Sequence, residues 1–216
     1  MSLNLTIPSP TTPKPQGVTT SIVACRPAVG SAPSTIVTVR RKEELTGEWC
    51  RDRERWDVLT RYEVAEIDRL ETASLVKVVD RLAAAASRDA IVLVDLSQVG
   101  RPFLRLVRER GINAVPVHDR RQRRQGRLEH PVPRADLDRD GPGRREALSI
   151  RKELDDAREL LEQIRTFRTK GTSDDELKDW RKERSDLVLP TMLATWWGEC
   201  RIGSTIKQPP SPRRPG

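Results

Sequence analysis

The chain is 216 residues long, with 40 Lys plus Arg against 32 Asp plus Glu, a formal net charge of +8 and 36% hydrophobic residues. That length supports one domain with a substantial core, and the basic excess, mostly Arg, suits phosphate-bearing partners without specifying one. Three cysteines (Cys25, Cys50, Cys200), odd in number, far apart and without metal-ligand spacing, point to a reduced, intracellular protein, and the two histidines (His118, His130) form no zinc motif. No apolar run approaches the ~20 residues needed to span a bilayer, and no secretory signal pattern opens the chain.

Residues 1–19 are rich in Pro, Ser and Thr and are expected to be a disordered arm; residues 201–216, basic and Pro-rich, are expected to be a disordered tail. Between them, residues 20–200 read as one domain. A first strand is expected over 21–25. A turn through Pro27, Gly30 and Pro33 leads to a second over 35–39, and a polar turn around Gly47 precedes a third within 56–67. A helix over 73–87 places Leu75, Val76, Val79, Leu82, Ala83 and Ala86 on one stripe. The apolar run ending in Asp95 is the fourth strand. Pro102 suits the first turn of the next helix and Gly111 its C′ position, with Phe103, Leu106 and Val107 facing the sheet. A fifth strand over 112–117 completes a parallel crossover unit. A long charged helix is expected over 144–168, with Leu154, Ala157, Leu161, Ile164 and Phe167 on one face, and a last helix over 187–197. This order is that of a ribonuclease H-like fold: α/β, with a mixed five-stranded sheet flanked by helices.

Two acids stand out. Asp95 ends a buried-type strand just before a helix, where open α/β sheets place their chemistry; the competing reading is an acid that caps the helix or tightens a turn. Asp186 opens a segment in which Leu189, Leu193, Trp196 and Trp197 repeat at helical spacing, and it falls on that apolar side, toward the sheet. Simple capping by Ser185 or Asp186 is the competing reading, and Pro190 argues for a helix that starts later than the stripe suggests. After the fifth strand, Arg120, Arg121, Arg123, Arg124 and Arg127 form a basic loop suited to gripping phosphates without reading bases, or simply a solvated charge run.

Several segments resemble the nuclease domains of bacteriophage terminase large subunits. Val94-Asp95-Leu96-Ser97-Gln98-Val99-Gly100-Arg101-Pro102 is similar to that family's "VDATGVGRP". Ser185-Asp186-Leu187-Val188-Leu189-Pro190-Thr191-Met192-Leu193-Ala194-Thr195-Trp196-Trp197-Gly198-Glu199 is similar to its "DDLVLAVALACWWGE", Val132-Pro133-Arg134-Ala135-Asp136-Leu137 to "VPKRDL", and Phe167-Arg168-Thr169-Lys170 to "FRVK". The series is colinear over about 21–199. The resemblance implies a ribonuclease H-like domain of phage or bacterial-host cytoplasm that cuts double-stranded DNA with three carboxylates and Mg²⁺ or Mn²⁺, beside a packaging ATPase or portal partner and away from membranes. Asp95 and Asp186 would be its catalytic and metal-binding acids.

The chain departs from that pattern. Colinear placement puts Arg26 where the family's first acid belongs, Ala32 at a following Asp, and Ser185 at the first Asp of an "HDD" triplet. No acid occurs between Ser21 and Arg41, and no Gly-x-x-x-x-Gly-Lys-Ser/Thr phosphate loop is present, so there is no packaging motor in this chain. The expectation is therefore a terminase-like nuclease fold with weak or lost cleavage, in which Arg26 either pairs with Asp95 or Asp186 in the place of a metal or swings out of the site, unless the placement slips by a residue. The alternatives are an active two-metal endonuclease using Asp95 and Asp186, a non-catalytic module that binds DNA or a partner, and a generic α/β domain whose motif matches are chance.

Overall fold

A computed structural model describes residues 17–50, 54–71, 74–117, 148–169, 185–202 and 204–207. In chain order the elements are β1 (Gly17–Arg26), β2 (Ser34–Cys50), β3 (Arg55–Leu70), α1 (Leu75–Ala85), β4 (Ile91–Asp95), α2 (Gly100–Glu109), β5 (Ala114–Val117), β6 (Leu148–Ile150), α3 (Ala157–Thr169) and α4 (Val188–Cys200). The fold is α/β. One six-stranded mixed sheet has the order β5-β4-β1-β2-β3-β6. β1, β4 and β5 are parallel, β2 is antiparallel to both β1 and β3, and β6 joins β3 in parallel.

Strand alternation explains why helices cover both faces. In β1 and β4, Val23, Cys25, Val92 and Val94 point to one side, where they pack with Val78, Val79 and Leu82 of α1 and Phe103 and Val107 of α2. Ile22, Ala24 and Leu93 point to the other, with Leu160 of α3 and Val188 and Ala194 of α4. Strands buried on both sides read as near-continuous apolar runs, which is why these segments were conspicuous in the sequence. Among the described residues no helix is long and apolar enough to cross a membrane.

Four expectations are corrected. The sheet has six strands rather than five: residues 148–150, placed in a long helix by charge pattern, form edge strand β6, and the helix starts only at Ala157. Its buried stripe passes through Leu160, while Leu161 is 44% exposed. Gly47 does not make the turn between the second and third strands. It has φ +82 and sits where the β2–β3 register shifts between Leu45 and Trp49, so the hairpin runs on to Cys50 and Arg55, with Trp49 edge-on to Trp56. At the termini, Gly17–Thr19 belong to β1 rather than to a disordered arm, because they pair with Lys42–Glu44 of β2. In the expected tail, Ile206 is buried and Thr205 donates to the buried Glu43 carboxylate from both its N–H (2.8 Å) and its hydroxyl (2.6 Å).

Candidate functional site

The register of β1 and β4 builds the site. Cys25 pairs with Val94 in parallel, so Arg26 and Asp95 are the next residues of two adjacent strands at the carboxyl edge of the sheet. By alternation both leave the sheet on the face that Ala24 and Leu93 share, the face covered by α3 and α4. Asp186 lies two residues before α4 and is 8% exposed. Two acids far apart in sequence thus meet one arginine at one rim, and both act on its charge.

Each group has defined partners. Arg26 Nη1 donates to the Ser185 carbonyl at 3.0 Å and lies 3.5 Å from the Ser185 hydroxyl. Burial pushes its pKa down, and Asp95 and Asp186 pull it back up. Asp95 accepts from the Ser97 N–H at 2.9 Å, so the turn-tightening role weighed from sequence is one it fulfils. Asp186 Oδ1 accepts from Gln163 Nε2 at 3.0 Å, and its Oδ2 lies 3.0 Å from Arg69 Nε. Arg69, near the end of β3, also donates to Glu159 at 2.7 Å, with Asp156 at 3.9 Å. Burial opposes the charge on Arg69, but Asp186, Glu159 and Glu71 outweigh it and raise its pKa. Burial, with Glu159, Asp155 and Asp186 adding to it, raises Asp156 against the opposing pull of Arg69. Beneath the rim, burial and Asp95 push the Cys25 thiol up, which makes it a core group rather than a nucleophile.

Capping by Ser185 or Asp186 does not occur at α4. The carboxamide oxygen of Gln163 accepts from the N–H groups of Leu187 and Val188, both at 3.1 Å, so a side chain of α3 caps α4 from outside. Pro190 is the third residue of α4; Leu189 already donates to the Ser185 carbonyl at 3.2 Å, so the missing Pro190 N–H leaves a gap in that ladder and the regular helix starts at Val188. Arg69 and Gln163 are the site residues that sequence reasoning missed. The signal was there in weak form: Gln163 interrupts the spacing of Ala157, Leu160 and Phe167, and Arg69 follows Ile67 on the covered face of β3.

These residues do not fit a pair of divalent ions. Asp186 Oδ1 already accepts from Gln163 while its Oδ2 is ion-paired with Arg69, Asp95 is joined to a backbone N–H, and the Arg26 charge acts on both acids. A fixed positive charge ~4 Å from a divalent ion costs about 8 kcal/mol at an effective dielectric near 20. Among the described residues no group of three or more His, Cys, Asp or Glu is placed to hold a metal ion. The basic loop Arg120, Arg121, Arg123, Arg124 and Arg127 lies outside the described residues, as do the segment 132–137 and Lys170. Comparison with protein-family models, with curated proteins and with solved structures gives no match.

Proposed function

We propose that the chain is a ribonuclease H-like domain of terminase-nuclease descent that engages DNA without cutting it, its acidic rim neutralised by arginines instead of metal ions. The observation that carries this reading is Arg26: it stands beside Asp95 at the strand edge, is tied to Ser185, and is acted on by both candidate acids. Strand order supports the fold assignment, since β5-β4-β1-β2-β3 with β2 reversed is the ribonuclease H-like sequence of strands, with β6 added at one edge. The chemistry follows from charge. An arginine cannot give up its proton at ordinary pH, so it neutralises carboxylates permanently. It neither generates a hydroxide nor stabilises a leaving oxygen in the manner of a bound divalent ion. Arg69 and Gln163 hold Asp186 in place as part of the helix junction. The DNA partner and the kinship with packaging enzymes rest on the motif resemblance and on the net charge of +8.

The test is supercoiled plasmid incubated with Mn²⁺ or Mg²⁺. This reading predicts no nicking above buffer; nicking that disappears in Asp95→Asn overturns it in favour of an active two-metal endonuclease.

A further inference from the structure

α2 lies next to the rim but takes no part in it. Its inner residues Phe103 and Val107 are buried in the core. Arg101, Leu104, Arg105 and Arg108 recur at helical spacing on a neighbouring face and, with Glu109 and Pro116 of β5, line an open groove of about 630 Å³. The three arginines are exposed, and among the described residues none has a carboxylate within ion-pair distance. Arginines nearby are treated differently. Arg110, one residue past α2, pairs with Asp80 of α1, and Arg81 pairs with Asp68 of β3.

We infer that this groove is a phosphate-backbone site for double-stranded DNA. The inference rests on the DNA-binding part of the reading above and not on the absence of cleavage. From Arg101 to Arg108 the helix rises about 10 Å. A duplex places one phosphate of each strand per about 3.4 Å of axis, so the row faces about three phosphates of one strand. Guanidinium groups match phosphate in two-point geometry. The lining holds no aromatic ring, so bases have nothing to stack on and the contact is blind to sequence. The single acid, Glu109, sits at the far end of the row. Arg101 is at the other end, in the first turn of α2 and close to the strand end that carries Asp95. A duplex along α2 is therefore led toward the rim, which gives the row a place in the same interface as the motif residues.

The experiment is fluorescence anisotropy with a labelled DNA duplex of mixed sequence over a series of NaCl concentrations, using the full chain. Arg101→Gln/Arg105→Gln/Arg108→Gln is compared with Lys77→Gln/Arg88→Gln/Lys152→Gln, which removes the same charge from exposed positions elsewhere. Far-ultraviolet dichroism checks that both variants fold. The groove variant is expected to lose about tenfold or more in affinity at moderate salt and about two to three units of slope in log K against log salt, with the control retaining both far better. Equal losses in the two variants, or an unchanged slope in the groove variant, overturn the inference. So does a wild-type chain that binds no duplex, a result that leaves the prediction of no nicking standing. Nicking by a wild-type chain that still depends on the groove would instead overturn only the non-cleaving reading.

Discussion

The two ends of α4 each carry an arginine–carboxylate cluster, and the two are held in different ways. At the C-terminal end, Glu43 of β2 is 1% exposed and accepts from Arg41 Nη2 at 3.0 Å and from Thr205 twice. Gly198 leaves room there for the Tyr62 ring. Both oxygens of that acid are engaged, and the effect is to fasten the 204–207 segment to the sheet. At the N-terminal end, Asp186 is held by Arg69 and Gln163, but Asp95 has a single backbone donor and no ion pair within 4 Å among the described residues. Arg26 serves Ser185 directly and the two acids only through its field. A carboxylate enclosed by donors is structural. One that remains at a sheet edge beside a half-buried arginine is what a site looks like when its cation has become part of the chain.

The comparison is broken most severely by removing Glu43. Glu43→Ala leaves Arg41 buried without its counter-charge and should destabilise by about 3–5 kcal/mol in urea unfolding. Burial pushes the Glu43 pKa up, but Thr205 and Arg41 more than offset this and hold it below the ordinary value of 4.5. An acid with a depressed folded pKa stabilises above its unfolded pKa, and that gain is lost as the pH falls through the folded value. Wild-type stability should therefore fall with acid below pH 4.5, and Glu43→Gln should flatten that part of the profile. An unchanged profile would remove the cluster from the account.

Arg69→Ala tests the other end. It frees Asp186 and Glu159 together, but the Arg69 and Asp186 side chains keep 17% and 12% exposure. The loss should be smaller, about 2–3 kcal/mol. A loss equal to that of Glu43→Ala would erase the distinction between the clusters. Gly198→Ala puts a Cβ 2.6 Å from Cε1 of the buried Tyr62 ring and should lower stability by about 1–3 kcal/mol, read as a fall in Tm. Gln163→Leu keeps the volume on α3 but removes the external cap of α4, for about 1–2 kcal/mol. A neutral result there would mean that water caps the helix equally well.

Much of the sheet was legible because β1, β4 and the inner half of β2 are continuous apolar runs with one solution, burial on both faces. Three-residue β6 was not. Leu148-Ser149-Ile150 is too short to show a period, and its pairing with Tyr62–Val64 is non-local. The β2–β3 hairpin was underestimated because its outer half is polar and Gly47, a turn signal in isolation, is absorbed as a bulge. In the site, Asp95 stood out at a strand end and Asp186 on an apolar helical stripe, Arg26 and Ser185 came from motif placement, and parallel register explains why Arg26 and Asp95 are neighbours. Arg69 left only a weak signal because its role comes from Asp186 and Glu159, acids brought to it by tertiary packing alone. Gln163 is buried on the covered face of α3, and its partners, Asp186 and the start of α4, come to it only through tertiary packing.

The most direct measurement is calorimetric titration of Mn²⁺ into the wild-type chain and into Arg26→Asp/Ser185→Asp. If the Arg26 guanidinium supplies the positive charge between Asp95 and Asp186, the wild-type chain takes up no Mn²⁺ at the rim and the double variant gains a site. Uptake by the wild-type chain that Asp95→Asn abolishes would contradict the account.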